Sequence, residues 1–279
     1  GRERASEHEG FLRYQSYKWL KIALSICGIA LLIYAFNDVQ PKPNGGSIYG
    51  YTTGTIGVVL ILWLAWLGVR KRDIRPGRWS LKSWTSAHVY LGLSLIIIAT
   101  LHTGFDFGWN IHTLAYVLMM LVIGSGIFGI AAYASLPQAL SANRGETTQI
   151  QMLDNLRMLD RQLNEAAQPL DAQGAAIVQM ALHDDPFGGG LISRLTGRYP
   201  KCGTRAALAA VRAHERQGEA DPYDHVEVLL ERKRSALSRI RKHLRLKGLL
   251  EVWLYIHVPL TFALIAALFV HIVSVFYYW

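Results

Sequence analysis

Four histidines stand at matched positions in two apolar stretches of this chain. "HVYLGLSLIIIATLH" runs from His88 to His102 and "HVPLTFALIAALFVH" from His257 to His271, so each pair is separated by fourteen residues. On an α-helix that interval rises about 21 Å and turns through about 1,400°, about 40° short of four full turns. Both histidines of a stretch therefore leave nearly one face, one toward each end. Burying an ionisable group in lipid is costly, so an intramembrane histidine marks a functional position by default. A single one would serve equally well in an interhelical hydrogen bond. Two stretches with the same spacing ask for a shared explanation. Haem iron accepts histidine nitrogens from both sides of a flat macrocycle, and two helices clamping the ring provide this arrangement. Zinc is a poorer candidate, because it wants four ligands at one locus and no cysteine or carboxylate accompanies these histidines.

The elements that would position them follow from composition. The 279 residues are 51% hydrophobic and only 18% charged, against about a quarter charged in ordinary soluble chains. Five windows approach the roughly 20 apolar residues that cross a membrane core: 19–36, 51–69, 86–105, 111–134 and 252–276. The expected fold is all-α, an integral membrane bundle of five spans. "RKRDIRPGRWSLK" after span 2 and "ERKRSALSRIRKHLRLKG" before span 5 carry the positive charge, while the loops after spans 1 and 3 hold one lysine between them. The positive-inside rule then places the N-terminus and the loops after spans 2 and 4 in the cytoplasm, and the C-terminus outside. Spans 3 and 5 cross in the same direction. His88 falls level with His257 on the cytoplasmic side and His102 level with His271 on the outer side, with about 20 Å between the two levels.

Residues 138–248 form a polar insertion too long for an ordinary loop. Ile150, Leu153, Leu156, Leu159 and Leu163 mark one amphipathic helix in it. "DPYDHVEVLLERKRSALSRIRKHLRL" marks another, with Asp221 as N-cap and Pro222 at its first position. "DDPFGGGLISRLTGRYPKCG" between them reads as irregular. The expected division is 1–137 with spans 1–4, a helical cytoplasmic insertion 138–248 that extends spans 4 and 5, and 249–279 with span 5. Span 1 has no small-residue cleavage site after it, so it reads as retained rather than as a signal peptide. The chain begins without Met and stops at Trp279 directly after a span, so it reads as open at either end.

Several classes drop out. Cys27 and Cys202 are the sole cysteines, and no CxxC or CxxCH occurs. That removes zinc ribbons, cysteine-ligated iron–sulfur clusters and covalently attached c-type haem. The net charge of +9 sits where anionic lipid headgroups would meet it, so a nucleic-acid partner is not expected. No nucleotide-binding glycine motif or nucleophile–base pair is present.

The two histidine stretches on spans 3 and 5 resemble the ferric reductase-like transmembrane domain, shared by ferric reductases, NADPH oxidases and bacterial haem-containing reductase subunits. The resemblance implies two non-covalent haem b groups, with His88 and His257 as axial ligands of a cytoplasmic-side haem and His102 and His271 of an outer one. It covers spans 1–5. A sixth helix and the flavin and nicotinamide domains common in that family are not in these residues, and the insertion is atypical of it. The dihaem core of quinol-oxidising bc complexes is similar in principle, though it places its ligands on the second and fourth helices.

Other residues are weaker candidates. His112 opens span 4 on the outer side and could hydrogen-bond a quinone or a haem propionate, or add a ligand. Asp106 could relay protons nearby. Arg70, Lys71, Arg78 and Lys82 lie at the cytoplasmic level, where Arg78 could pair with a propionate, although setting topology accounts for all four. Gly124, Gly126 and Gly129 permit close approach in span 4. Gly92, Ala99, Ala263, Ala266 and Ala267 leave room beside the histidines. Trp63, Trp66, Trp79, Trp84, Trp109 and Trp253 form an aromatic belt. His183, His214, His225 and His243 read as surface residues.

The expected function is electron transfer across a bacterial inner membrane between a quinone pool or cytoplasmic-side donor and an outer partner. The chain would be the electron-transfer subunit of an oxidoreductase complex, beside a cytochrome, iron–sulfur or flavin protein. A self-contained ferric reductase and a non-redox transporter or scaffold are the alternatives.

Overall fold

The computed structural model describes residues 10–37, 45–70, 80–134, 144–214 and 221–277. Among them there are helices and turns and no strand. Five helices are long and apolar enough to cross a membrane. A 3-10 turn Phe11–Arg13 leads into α1 (Tyr14–Phe36). It is followed by α2 (Ile48–Ala65), the single turn α3 (Leu67–Arg70), α4 (Leu81–Thr103) and α5 (Ile111–Ala134). Then come α6 (Arg144–Ala166), α7 (Ala172–Leu182), α8 (Gly190–Thr196), α9 (Gly203–Ala213) and the long α10 (Pro222–Tyr277). The chain divides into two compact units, one of residues 1–128 with 255–279 and one of residues 129–254.

Local chemistry sets the ends of the spans in the first unit. Ser47 caps α2 by accepting the Gly50 N–H at 3.0 Å, and Ser80 caps α4 by accepting that of Ser83 at 3.2 Å, each satisfying one of the orphan donors of a first helical turn. Gly104 ends α4 in the left-handed region at φ 58°, where glycine carries no Cβ penalty. The bundle is organised around α4. It has the largest share of its apolar window buried, 39% against 11% for α1 and α10, and it packs along both α1 and α2. Trp19, Ile61, Leu64, Ala87, Leu91, Leu95, Met119 and Leu264 form the core. Polar contacts pin the neighbours: Trp19 Nε1 donates to Ser83 Oγ at 3.2 Å, Tyr90 Oη to the Leu12 carbonyl at 2.9 Å, and Tyr49 Oη to the Ala30 carbonyl at 2.8 Å. Leu24, Leu32, Val59, Leu121, Phe262 and Phe269 are exposed on the spans, as a surface solvated by hydrocarbon requires.

The second unit has its own core of Leu159, Leu163, Ile177, Val178, Leu208, Val211, Val226 and Leu230. Asp184 caps α9 by accepting the Gly203 and Thr204 N–H groups at 2.8 and 2.6 Å. Asp171 caps α7 through Gly174 N–H at 2.8 Å and also accepts the Tyr223 hydroxyl at 2.8 Å. The stretch expected to be irregular contains the seven-residue α8. One expectation needs correcting. His183 and His225 are exposed, but His214 stacks on Tyr223 with centroids 3.9 Å apart, and His243 is buried at 7% exposure. His243 falls on the inward face of α10, one turn from Ile240, and helical position overrides its polarity.

Candidate functional site

α4 brings His88 and His102 to one side of the bundle, and the apolar part of α10 brings His257 and His271. All four are half-buried. They meet in pairs: His88 faces His257 with ring centroids 6.4 Å apart at 63°, and His102 faces His271 at 6.1 Å and 89°. A metal–imidazole bond is about 2 Å and a ring nitrogen lies about 1.1 Å from its ring centre, so two rings on opposite sides of one iron have centroids about 6.2 Å apart. Both pairs match that separation.

The other ring nitrogen of each histidine is engaged. His88 Nδ1 donates to the Leu64 carbonyl at 3.1 Å and His102 Nδ1 to the Gly50 carbonyl at 2.7 Å. A carbonyl only accepts, so both rings carry their proton on Nδ1 and present a lone pair on Nε2. His257 Nδ1 lies 2.7 Å from Ser125 Oγ. The Ser125 hydroxyl proton goes to the Val122 carbonyl at 2.8 Å, which leaves its oxygen to accept from His257. His271 Nδ1 is hydrogen-bonded to His112 Nδ1. A hydrogen bond on one ring nitrogen is what fixes tautomer and orientation when the other ligates a metal.

Gly54 makes the approach to His102 possible, while Gly126 stands at ordinary contact distance from His257. A Cβ on Gly54 would lie 2.7 Å from His102 Cε1 and 2.9 Å from its Nδ1, and one on Gly126 would lie 3.6 Å from His257 Cε1. Ala267 on α10 is buried. The ring spacing at each level, and the Nδ1 hydrogen bonds of His88, His102 and His257, would fit a bis-histidine haem. Among the described residues no three or more histidine, cysteine or acidic side chains are grouped to hold a bare metal ion.

Sequence reading singled out the four histidines, His112 and Gly126; the structure brings His88, His257 and Gly126 together at one level and His102, His271 and His112 at the other. It missed Gly50, Gly54, Leu64 and Ser125. The Gly50-x3-Gly54 spacing on one helix face was the available signal. Gly92 lies near Leu64 of α2 rather than beside a histidine, and Gly129 packs under the Trp253 ring. Asp106 lies on the exposed turn after α4. Lys71, Arg78 and Trp79 lie outside the described residues, as does the side chain of Arg70. No protein-family model, curated protein or solved structure matches the chain. The likeness to the ferric reductase-like domain therefore rests on four histidines and their spacing.

Proposed function

We propose that this protein is a membrane cytochrome subunit that holds two b-type haems and carries electrons between the two faces of the membrane. The observation that supports it is the pair of histidine–histidine separations, 6.4 and 6.1 Å, repeated at the two ends of α4. His88 and His257 are assigned to a cytoplasmic-side haem and His102 and His271 to an outer one. Haem bound at each pair would supply one-electron exchange at iron. The chain's own part is to hold the imidazoles at fixed orientation through Leu64, Gly50, Ser125 and His112, and to keep the two levels about 21 Å apart by helical rise. Fixed geometry and burial tune the cofactor; the redox chemistry belongs to the cofactor itself.

The basic flanks 70–82 and 231–247 support an inner-membrane orientation with the N-terminus and the 138–248 insertion cytoplasmic and the C-terminus outside. Quinone is the favoured small partner, since it dissolves in hydrocarbon and carries electrons with protons. Redox proteins on either face would complete the circuit. The test is a reduced-minus-oxidised visible spectrum with haem quantitation on the purified protein. Two haems per chain and a b-type α-band are expected. A haem content near zero would sink the assignment. His102→Ala should leave one haem, the inner one.

A further inference from the structure

Three of the four paired histidines give their Nδ1 proton to an ordinary neutral oxygen: the Leu64 carbonyl, the Gly50 carbonyl and the Ser125 hydroxyl. The fourth, His271, is bound instead to a fifth histidine. We propose that His112 is the positioning residue of the outer haem, orienting His271 and strengthening it as a ligand, so that the two haems differ in potential. This rests on the dihaem reading above and adds a role for a residue outside the ligand set.

Distance separates this role from that of an additional ligand. The His112 and His271 rings are perpendicular at 89° with centroids 4.5 Å apart, well short of the roughly 6.2 Å between two imidazoles on opposite sides of one haem iron. Their nitrogens meet directly, Nδ1 to Nδ1. If His271 ligates iron through Nε2, its one proton is on Nδ1 and it must donate. His112 then accepts at Nδ1 and carries its own proton on Nε2.

Two consequences follow. An imidazole nitrogen is a stronger proton acceptor than a peptide carbonyl or a hydroxyl. His271 therefore gains more electron density than the other three ligands, which stabilises ferric iron and lowers the outer potential. The same bond also holds the His271 ring 89° from His102. The inner pair stands at 63°. His112 opens α5 and its position is set by that helix, so the acceptor is placed by an element other than those carrying the ligands.

The experiment compares wild type, His112→Ala and His112→Asn in purified full-length protein, by haem content, redox titration and low-temperature EPR of the ferric state. Asn keeps an oxygen acceptor near the same place. In His112→Ala the outer haem is expected to be held about 10- to 100-fold less tightly, to titrate at a higher potential where retained, and to lose the strongly anisotropic EPR signal of perpendicular rings. The inner haem should not change, and His112→Asn should restore retention and most of the EPR signature. Two haems with unaltered outer potential and EPR in His112→Ala would overturn the inference and leave the dihaem assignment standing. Equal loss of the outer haem in His112→Ala and His112→Asn would also overturn it. A wild-type protein without haem would fail the assignment itself, before His112 is tested.

Discussion

At Gly54 a methyl group would stand 2.7 Å from one ring atom of His102 and 2.9 Å from another, where nonbonded contacts prefer roughly 3.5–4.0 Å. Gly54→Ala must push the His102 ring away and break its hydrogen bond to Gly50, and His102 then misses its level. Under the proposed dihaem function the expected outcome is a fall from two haems to one per chain, read by pyridine haemochrome, with the remaining haem showing the inner site's potential. Gly57→Ala is the control: a Cβ there meets nothing within 4 Å, and both haems should stay. In the other unit, burial of Asp184 would by itself raise its pKa. The Thr204 and Gly203 N–H groups and the Cys202 thiol together outweigh burial and hold the carboxyl below its usual range. A depressed carboxyl contributes stability that is complete above the unfolded value of about 3.9 and is lost as pH falls through the lower folded value. Asp184→Asn should therefore melt at lower temperature than wild type at pH 6. The difference should shrink below about pH 4. A gap that persists unchanged into acid would show that the carboxylate charge is not what Asp184 contributes.

α10 shows what a sequence pattern reveals at the scale of an element and what it hides. Val226, Leu230, Lys233, Leu237, Ile240 and Leu244 recur at steps of four and three, and all are buried. The stripe is readable as an amphipathic face, yet it includes a lysine with no exposed surface. Lys233 is ion-paired with Asp160 of α6 and donates to the Ala181 carbonyl of α7 at 2.6 Å. Those partners lie 73 and 52 residues away, so no local pattern announces them. The same reason divides the site. The five spans and the four histidines were legible because hydrophobic length and helical period are local quantities. Leu64, Gly50, Ser125 and His112 were hidden as hydrogen-bond partners because they come from other helices, 24 to 159 residues distant. For Lys233, truncation removes a buried charge and leaves both a void and an unpaired carboxylate. Asp160 keeps 31% of its side-chain surface exposed and can recruit water, so Lys233→Ala should cost about 3 kcal/mol, the lower end for a broken buried pair. Lys233→Met, which fills the space, should cost less. Denaturant titration of the full chain, followed by thiol labelling of Cys202 in the same unit, measures both.

For the whole molecule, the proposed function gives a reason for two histidine levels rather than one. The hydrocarbon core is about 30 Å thick, and electron tunnelling falls off steeply with distance. A single haem near either face would leave most of that thickness uncrossed. Two haems at levels about 21 Å apart along α4, as proposed, would divide it. The two sites should then act in series, each useless for crossing without the other. Reconstituted vesicles with one orientation test this. A membrane-impermeant reductant added on the face reached by impermeant thiol labelling of Cys202, the proposed cytoplasmic face, should reduce both haems in wild type. Impermeant oxidant trapped on the opposite side should be consumed at the same time. In His102→Ala the inner haem should still be reduced at the wild-type rate while consumption of the trapped oxidant stops. In His88→Ala the outer haem should stay oxidised under the same reductant, yet be reduced when the reductant is placed on its own side. Undiminished transfer in either variant would mean that the two levels are not consecutive steps of one path.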